Sequence, residues 1–369
     1  MASVSVSAAV LAMALLVAPL SGCSGTSATT GSSTTGSAAT STGSPSGGAA
    51  TSTASFDFAP SPETPLVQAP QGGTAVTPGV IQADAGFHLF YTYAANTDDA
   101  KQAIYYAASP DGRSFPPGQP ALAGDPKTFE EGRAAQPVPV VEGGQWILYY
   151  NAGKYAVGAF NLGPSIGRAT ATAPTGPWTH DAQPVLRVGP PDAWDGGFVA
   201  PNSVFTTSSG WVMFYSGGRA AGVTALLGMA TSPDGVTWTK YNDPATQSTL
   251  YANSDPVIAP GPAGSWDAES AFQAAVLQTP SGYEMLYTGV GSSGGRRSIG
   301  YATSKDGIHW DRAAANPVFT GETLSWASAG VMAGSVVVVG GEHLLYFSGL
   351  SAPTAGSIGL AVGKQSKTE

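Results

Sequence analysis

The sequence predicts an all-β chain folded as a five-bladed β-propeller with four strands in each blade. Three recurring patterns point there. A proline followed by two apolar residues occurs five times, as Pro65-Leu66-Val67, Pro120-Ala121-Leu122, Pro184-Val185-Leu186, Pro256-Val257-Ile258 and Pro317-Val318-Phe319. An aromatic strand pattern also occurs five times, starting at Phe87, Trp146, Trp211, Tyr283 and His343. A strand of small residues follows it each time, starting at Ile104, Ile166, Leu227, Ile299 and Ile358, as in IGRATA, LGMATS and IGYATS. Alternation within these runs has strand period, and Gly, Pro, Ser and Asp bound them.

The chain opens differently. Residues 1 to 56 contain no Asp, Glu, Lys or Arg, and Asp57 is the first charged side chain. The apolar run from Ala8 to Leu20 is too short for a permanent membrane span and leads into Leu20-Ser21-Gly22-Cys23. That pattern resembles a bacterial lipoprotein signal, which implies cleavage after residue 22 and lipid on Cys23. The absence of Lys or Arg near Met1 departs from it, and an ordinary secretory signal is the other reading. Cys23 is the only cysteine, so no internal disulfide is possible. From Ser24 to about Ser55 the sequence is mostly Ser, Thr, Gly and Ala, too poor in large apolar groups to offset its chain entropy, so residues 23–55 are expected to be a disordered tether.

Residues 56–369 remain for one large β domain. The net charge of −9 and the absence of a basic stripe argue against nucleic acid as a partner. The expected location is extracytoplasmic, anchored to the cell membrane through lipid at Cys23, as a monomer.

In the best-marked blade the innermost strand is read at Pro201 to Thr206, the second at Trp211 to Gly217, the third at Leu226 to Ser232 and the outermost at Pro256 to Ala259. Ser232-Pro233-Asp234-Gly235 supplies the turn after the third strand, with Trp238 packing back on the blade. No helix is expected. The last module, Ala333 to Gly363, is one strand short, and Pro65 to Val67 is spare at the other end, so the N-terminal strand is expected to close the ring and remove its open edges. Two stacked domains would be the rival arrangement. Connectivity places Phe129-Glu130-Glu131-Gly132-Arg133, Trp194-Asp195, Trp266-Asp267-Ala268-Glu269 and Trp326 on one face, the top, with Lys154, Tyr155, Arg219, Arg296 and Arg297.

The Gly-x-Trp-Asp-like loops, the W/Y-x-M-x-Y-x-G strand and Ile-Gly-x-Ala-Thr-Ser-x-Asp-Gly-x-x-Trp together resemble five-bladed propeller glycoside hydrolases. The similar groups are the arabinanase and β-xylosidase family 43 and the invertase and levansucrase families. A sialidase Asp-box does not fit, because Asp234-Gly235 and Asp306-Gly307 are adjacent. The resemblance implies hydrolysis between a protonated carboxyl, which assists departure, and an ionised one that activates water. The base and its supporting Asp would directly precede an inner-strand proline, yet Thr77 and Ala200 stand there.

The displaced candidates are Glu269 as acid, with Glu131 or Asp195 as partner. Asp195 and Asp267 follow tryptophan in successive blades, which also fits a repeated structural role. Glu269 has no acidic counterpart at Gly197, Ala329 or Arg133. Arg133 would hold Glu131 ionised or bind a hydroxyl, unless the two form an ordinary surface pair. Trp194, Trp266 and Phe129 offer flat faces for sugar, or core packing. Arg219 and Arg296 are further substrate-binding candidates, and Arg296 with Arg297 could take phosphate or form a solvated turn. The histidines show no metal-site spacing, so neither metal nor cofactor is expected. The expected function is recognition, with acid-assisted hydrolysis if active, of an arabinan-, xylan- or fructan-type glycan. A non-catalytic carbohydrate- or protein-binding propeller is the alternative.

Overall fold

A computed structural model describes residues 55–96, 101–153, 164–219, 224–292, 295–352 and 355–366. Five antiparallel sheets stand around a common axis. After β1 (Ser55–Pro60), the first blade is β2 (Thr74–Ala83), β3 (Gly86–Ala94), β4 (Ala103–Ser109) and β5 (Gln119–Ala123). The second is β6 (Ala134–Glu142), β7 (Gln145–Ala152), β8 (Ser165–Ala171) and β9 (Thr179–His180). The third is β10 (Phe198–Thr207), β11 (Gly210–Gly218) and β12 (Leu226–Ser232), with β13 (Thr239–Lys240) and β14 (Pro256–Ile258) both on the outer side of β12. The fourth is β15 (Ser270–Thr279), β16 (Gly282–Val290), β17 (Ser298–Ser304) and β18 (Trp310–Arg312). The fifth is β19 (Gly330–Val339), β20 (Glu342–Ala352) and β21 (Ala355–Ser366), with β1 as its outer strand. The five-bladed propeller is therefore the fold. Among the described residues 3₁₀ turns stand at Thr249–Tyr251 and Ser325–Ala327.

Two expectations need refinement. The outer strand is split: Thr239 and Lys240 pair one half of β12, and the proline-led tripeptide Pro256–Ile258 returns to pair the other. The same split appears as the Ile166–Leu186 and Ile299–Phe319 bridges in the second and fourth blades. Ring closure follows the same rule. Val67 makes a single bridge to Ile358, while the closing ladder is Ser55–Pro60, six residues in register with Ser366 to Ala361. A tripeptide covers only one end of β21, so a second segment must satisfy the remaining backbone groups. Phe56 and Phe58 of β1 stack on each other and are buried at 7% exposure each, which drives the docking. The expected signal, Cys23 and the tether, as well as Lys154 and Tyr155, lie outside the described residues.

Each seam between blades holds its own apolar cluster. Phe90 and Ile104 meet Trp146 and Leu148; Tyr149 and Ile166 meet Val199 and Met213; Phe214 and Leu227 meet Ala271 and Met285. Leu286 and Ile299 meet Val331 and Phe347, and Tyr346 and Ile358 meet Ala75 and Leu89. At the face opposite the candidate loops, the Asp234 carboxylate accepts from the N–H groups of Val236 and Thr237 at 2.9 and 2.7 Å, and Trp238 Nε1 donates to Gly235 O at 3.2 Å. Gly235, at φ 72°, occupies the left-handed region this turn requires.

A register shift interrupts the inner strand of every blade at equivalent places. The bulge turns one backbone N–H away from its own sheet. In four blades that N–H donates to a hydroxyl on the second strand of the preceding blade. Thr77 N bonds Ser348 Oγ at 2.8 Å, Gln136 N bonds Thr92 Oγ1 at 2.8 Å, Gln273 N bonds Ser216 Oγ at 2.9 Å and Ala333 N bonds Thr288 Oγ1 at 2.9 Å. In the third blade the equivalent residue is Pro201, which has no N–H to give. The facing side chain there is Asn151, and its Nδ2 donates to Val199 O at 2.7 Å.

Candidate functional site

The top face is built where the inner strands begin and the blade-to-blade loops return. Its axis is apolar. Val76 of β2, Phe272 of β15 and Met332 of β19 occupy the residue before each bulge, and with Phe198 they form one buried cluster drawn from four blades. The first and third blades are not neighbours in the ring, so a cluster that joins them lies across the axis and caps it. Ala135 and Ala200 hold the same place in the other two blades, also buried, and leave room for the larger rings. Ala200 therefore contributes packing to the cap. Thr77, where the base was expected, has its hydroxyl 2.6 Å from Thr92 Oγ1 and 2.8 Å from Val76 O.

Below the cap runs a channel of about 110 Å³, lined by residues such as Val80, Val138, Asn202, Ser203, Val276 and Ser335 and by no charged side chain. It is far smaller than the roughly 300 to 1,000 Å³ of ordinary small-molecule sites. At its upper rim Thr77, Gln136 and Gln273 have φ of 53°, 52° and 40°, a left-handed backbone imposed on side-chain-bearing residues by the bulge.

The loop acids have a common architecture that the sequence reading recognised only in part. Asp195 is fully buried; its Oδ2 accepts from Tyr215 OH at 3.2 Å and from Lys240 Nζ at 2.5 Å. Asp267 repeats this with Tyr287 OH at 2.9 Å and Arg312 Nε at 3.0 Å. The second blade has a third copy, in which Glu130 bonds Tyr150 OH and lies 2.9 Å from His180 Nδ1. The carboxylate precedes its tyrosine by 20 residues in all three, and the cation stands on the outer strand. Burial and the neighbouring carboxylates push the phenols of Tyr150 and Tyr215 well above their ordinary value, so they remain donors. Burial pulls Lys240 downward against the attraction of Asp195. In the fifth blade the equivalent positions are Ala327, Phe347 and Pro60, so all three polar groups are replaced together.

Phe129, Trp194, Trp266 and Trp326 precede these loop positions. Trp194 stacks on Tyr215 with centroids 5.8 Å apart, Trp266 tilts over Tyr287 at 5.5 Å and Trp326 stacks on Phe347 at 5.8 Å. Trp194 is 2% exposed and its Nε1 donates to Ser254 O at 2.9 Å, so its faces are consumed in packing. Phe129 and Trp266 are half-buried.

The remaining candidates separate by environment. Arg133 is buried, with Nε on Gln102 Oε1 at 3.1 Å and Nη1 on Asn151 Oδ1 at 2.5 Å and Gly153 O at 3.2 Å. Arg296 spends its guanidinium on carbonyls: Nη1 donates to Ser328 O at 2.8 Å, Nη2 to Gly321 O at 2.9 Å and to Ala327 O at 2.8 Å. Arg219 and Glu131 are exposed, and Glu131 has φ 51°. Glu269 is half-buried, and its N–H donates to Val290 O at 2.9 Å. Register places Glu269 opposite Gly132, Gly197 and Ala329; Arg133 aligns instead with Ser270, because Ala134 pairs Ala152 as Ala271 pairs Gly289. Among the described residues no three His, Cys, Asp or Glu side chains gather as a metal site.

No family profile and no curated protein matches the chain. Solved structures do. A glycoside hydrolase is similar with a TM-score of 0.65 at 16% identity, covering 82% of this chain and 90% of its own. A glycosyl hydrolase from Bacteroides ovatus gives 0.61 at 18%, covering 84% and 94%. A β-1,2-mannobiose phosphorylase from Listeria innocua gives 0.61 at 13%, covering 83% and 96%. At these identities the likeness establishes the five-bladed propeller.

Proposed function

We propose that this chain is a glycan-recognising propeller, displayed outside the cytoplasm as a monomer on a lipid anchor at Cys23, and that it holds its glycan on the rim of the top face without hydrolysing it. The observation that carries this reading is the apolar axis. Where a hydrolase on this fold would need a base, Thr77 is bonded to Thr92, and where it would need the supporting carboxylate, Ala200 is buried in the cap. Asp195 and Asp267 are enclosed by a phenol and a cation, which leaves them no room to act on water. The structural neighbours, which include a β-1,2-mannobiose phosphorylase, support carbohydrate as the ligand class.

A second reading is acid-assisted hydrolysis with Glu269 as the acid and Glu131 as its partner. It is favoured by one observation: Glu269 is an acid where Gly132, Gly197 and Ala329 stand in other blades. One experiment separates the two. The purified protein and Glu269→Gln are tested for binding and for turnover of arabinan, xylan, fructan and β-1,2-mannobiose, with and without phosphate. Binding without turnover, unchanged by the substitution, is expected. Turnover abolished in Glu269→Gln would replace the first reading with the second, and failure to bind any glycan would end both.

A further inference from the structure

We propose that Arg297 is a receptor for a sugar carboxylate, so that the glycan recognised at the top face contains uronic acid. The inference rests on the glycan reading above and adds its charge. Arg297 lies at the top of the seam between the fourth and fifth blades, where its backbone bridges Gly330 in parallel and its carbonyl accepts from Val331 N at 3.1 Å. The seam between the first and second blades shows what this position does when it is internally satisfied. There the equivalent residue is Gln102, and its Oε1 accepts from Arg133 Nε at 3.1 Å. In the other seam the arginine sits on the opposite side, and the residue it faces is glycine. Gly330 has φ 117°, and a Cβ added to it would lie 2.7 Å from Arg297 N and 3.0 Å from Arg297 Cβ. No side chain can therefore be supplied from that position.

The result is a half-buried guanidinium whose Nε is out of contact with solvent and without a hydrogen-bond partner, and which makes no ion pair among the described residues. Burial alone lowers its pKa to about 10, so it remains charged at neutral pH. A desolvated cation without an anion is costly, and a protein that keeps one has a use for the missing partner. Guanidinium presents a planar fork that matches a carboxylate with two parallel hydrogen bonds. The donor count selects a carboxylate. Arg296, the neighbouring cation, keeps its charge but gives its N–H donors to carbonyls, so one guanidinium fork, that of Arg297, is left to bind a ligand. One planar fork matches one planar carboxylate, whereas a tetrahedral phosphate needs donors from more than one direction.

The test compares a tri-galacturonide with its carboxyl-reduced, neutral counterpart by calorimetry on the intact protein, Arg297→Gln and Arg297→Lys. The acidic trisaccharide is expected to bind roughly tenfold or more tighter than the neutral one, as a charge-assisted bond of this kind provides. Arg297→Gln should abolish the preference and Arg297→Lys should retain part of it, and thermal melts of the free variants should show no loss of fold. Equal affinities, or a preference that survives Arg297→Gln, overturn the inference and leave glycan recognition standing. Binding of neither trisaccharide, nor of any glycan in the wider panel, overturns both.

Discussion

The side-chain amide of Asn151 donates to the carbonyl of Val199 across the seam between the second and third blades, at 2.7 Å. At the four other seams a serine or threonine accepts from a backbone N–H instead. Pro201 explains the inversion, because a hydroxyl facing it would find no donor. Asn151→Ser is expected to lower stability by about 1 to 3 kcal/mol, the cost of leaving buried groups unsatisfied. Adding Pro201→Ala to that variant restores an N–H and should recover part of the loss. Chemical denaturation of the two variants measures this, and a double variant no better than the single one would remove the argument.

Asp267 with Tyr287 and Arg312 offers a sharper contrast. Asp267→Ala strands the buried Tyr287 phenol beside the half-buried Arg312 and is expected to cost about 1 to 3 kcal/mol. The fifth blade works with Ala327, Phe347 and Pro60 in the same places, so an apolar solution exists within this chain. Asp267→Ala combined with Tyr287→Phe and Arg312→Leu should therefore be more stable than Asp267→Ala alone. Denaturant midpoints decide, and a triple variant weaker than the single one would show that the ion pair contributes more than its desolvation costs.

His180 makes the second-blade copy sensitive to pH. Its hydrogen bond to Glu130 raises its pKa above the ordinary imidazole value, with burial opposing. A raised folded-state value means that the stabilisation is complete below about pH 6.5 and fades as pH rises through the folded value. Melting temperature should fall across that window in the native protein. His180→Arg, imitating Arg312, should flatten this part of the profile, while an unchanged slope would place the sensitivity elsewhere.

Phe56 packs against Phe58, Tyr301 and His343, with centroids at 5.3, 4.7 and 4.6 Å. Phe56→Ala is expected to cost about 3 to 5 kcal/mol. It should also loosen β1, which hydrogen exchange at Asp57 and Phe58 reads directly. Exchange as slow as in the native protein would show that the ladder holds without the ring.

Much of this was legible in the sequence for a simple reason: each blade must repeat the same covering of the same strands, so proline, aromatic and small-residue positions recur. The closing ladder was harder to see because SFDFAP follows a low-complexity stretch and lacks the proline-led signature that marks the other outer segments. Glu130 escaped notice as a third copy because His180 lies 50 residues away, whereas Lys240 and Arg312 follow their carboxylates by 45. The candidate site was legible as a set of residue types on one face. Which members were enclosed depended on partners far apart in the chain, such as Gln102 for Arg133 and Ser328 for Arg296. The apolar cap was hidden because Val76, Phe272 and Met332 read as ordinary strand residues until the bulges place them at one level.

The pairing of Ser55 with Ser366 also sets a timetable. As the chain is made, β1 emerges first among the described strands and its partner β21 last, so every other blade can assemble while β1 still waits. The entropic cost of this longest closure grows only with the logarithm of the span, but it is met by one event rather than blade by blade. A chain interrupted before β21 therefore has four blades able to stack and two edges left open, and the ring is made only when the first and the last of these strands meet.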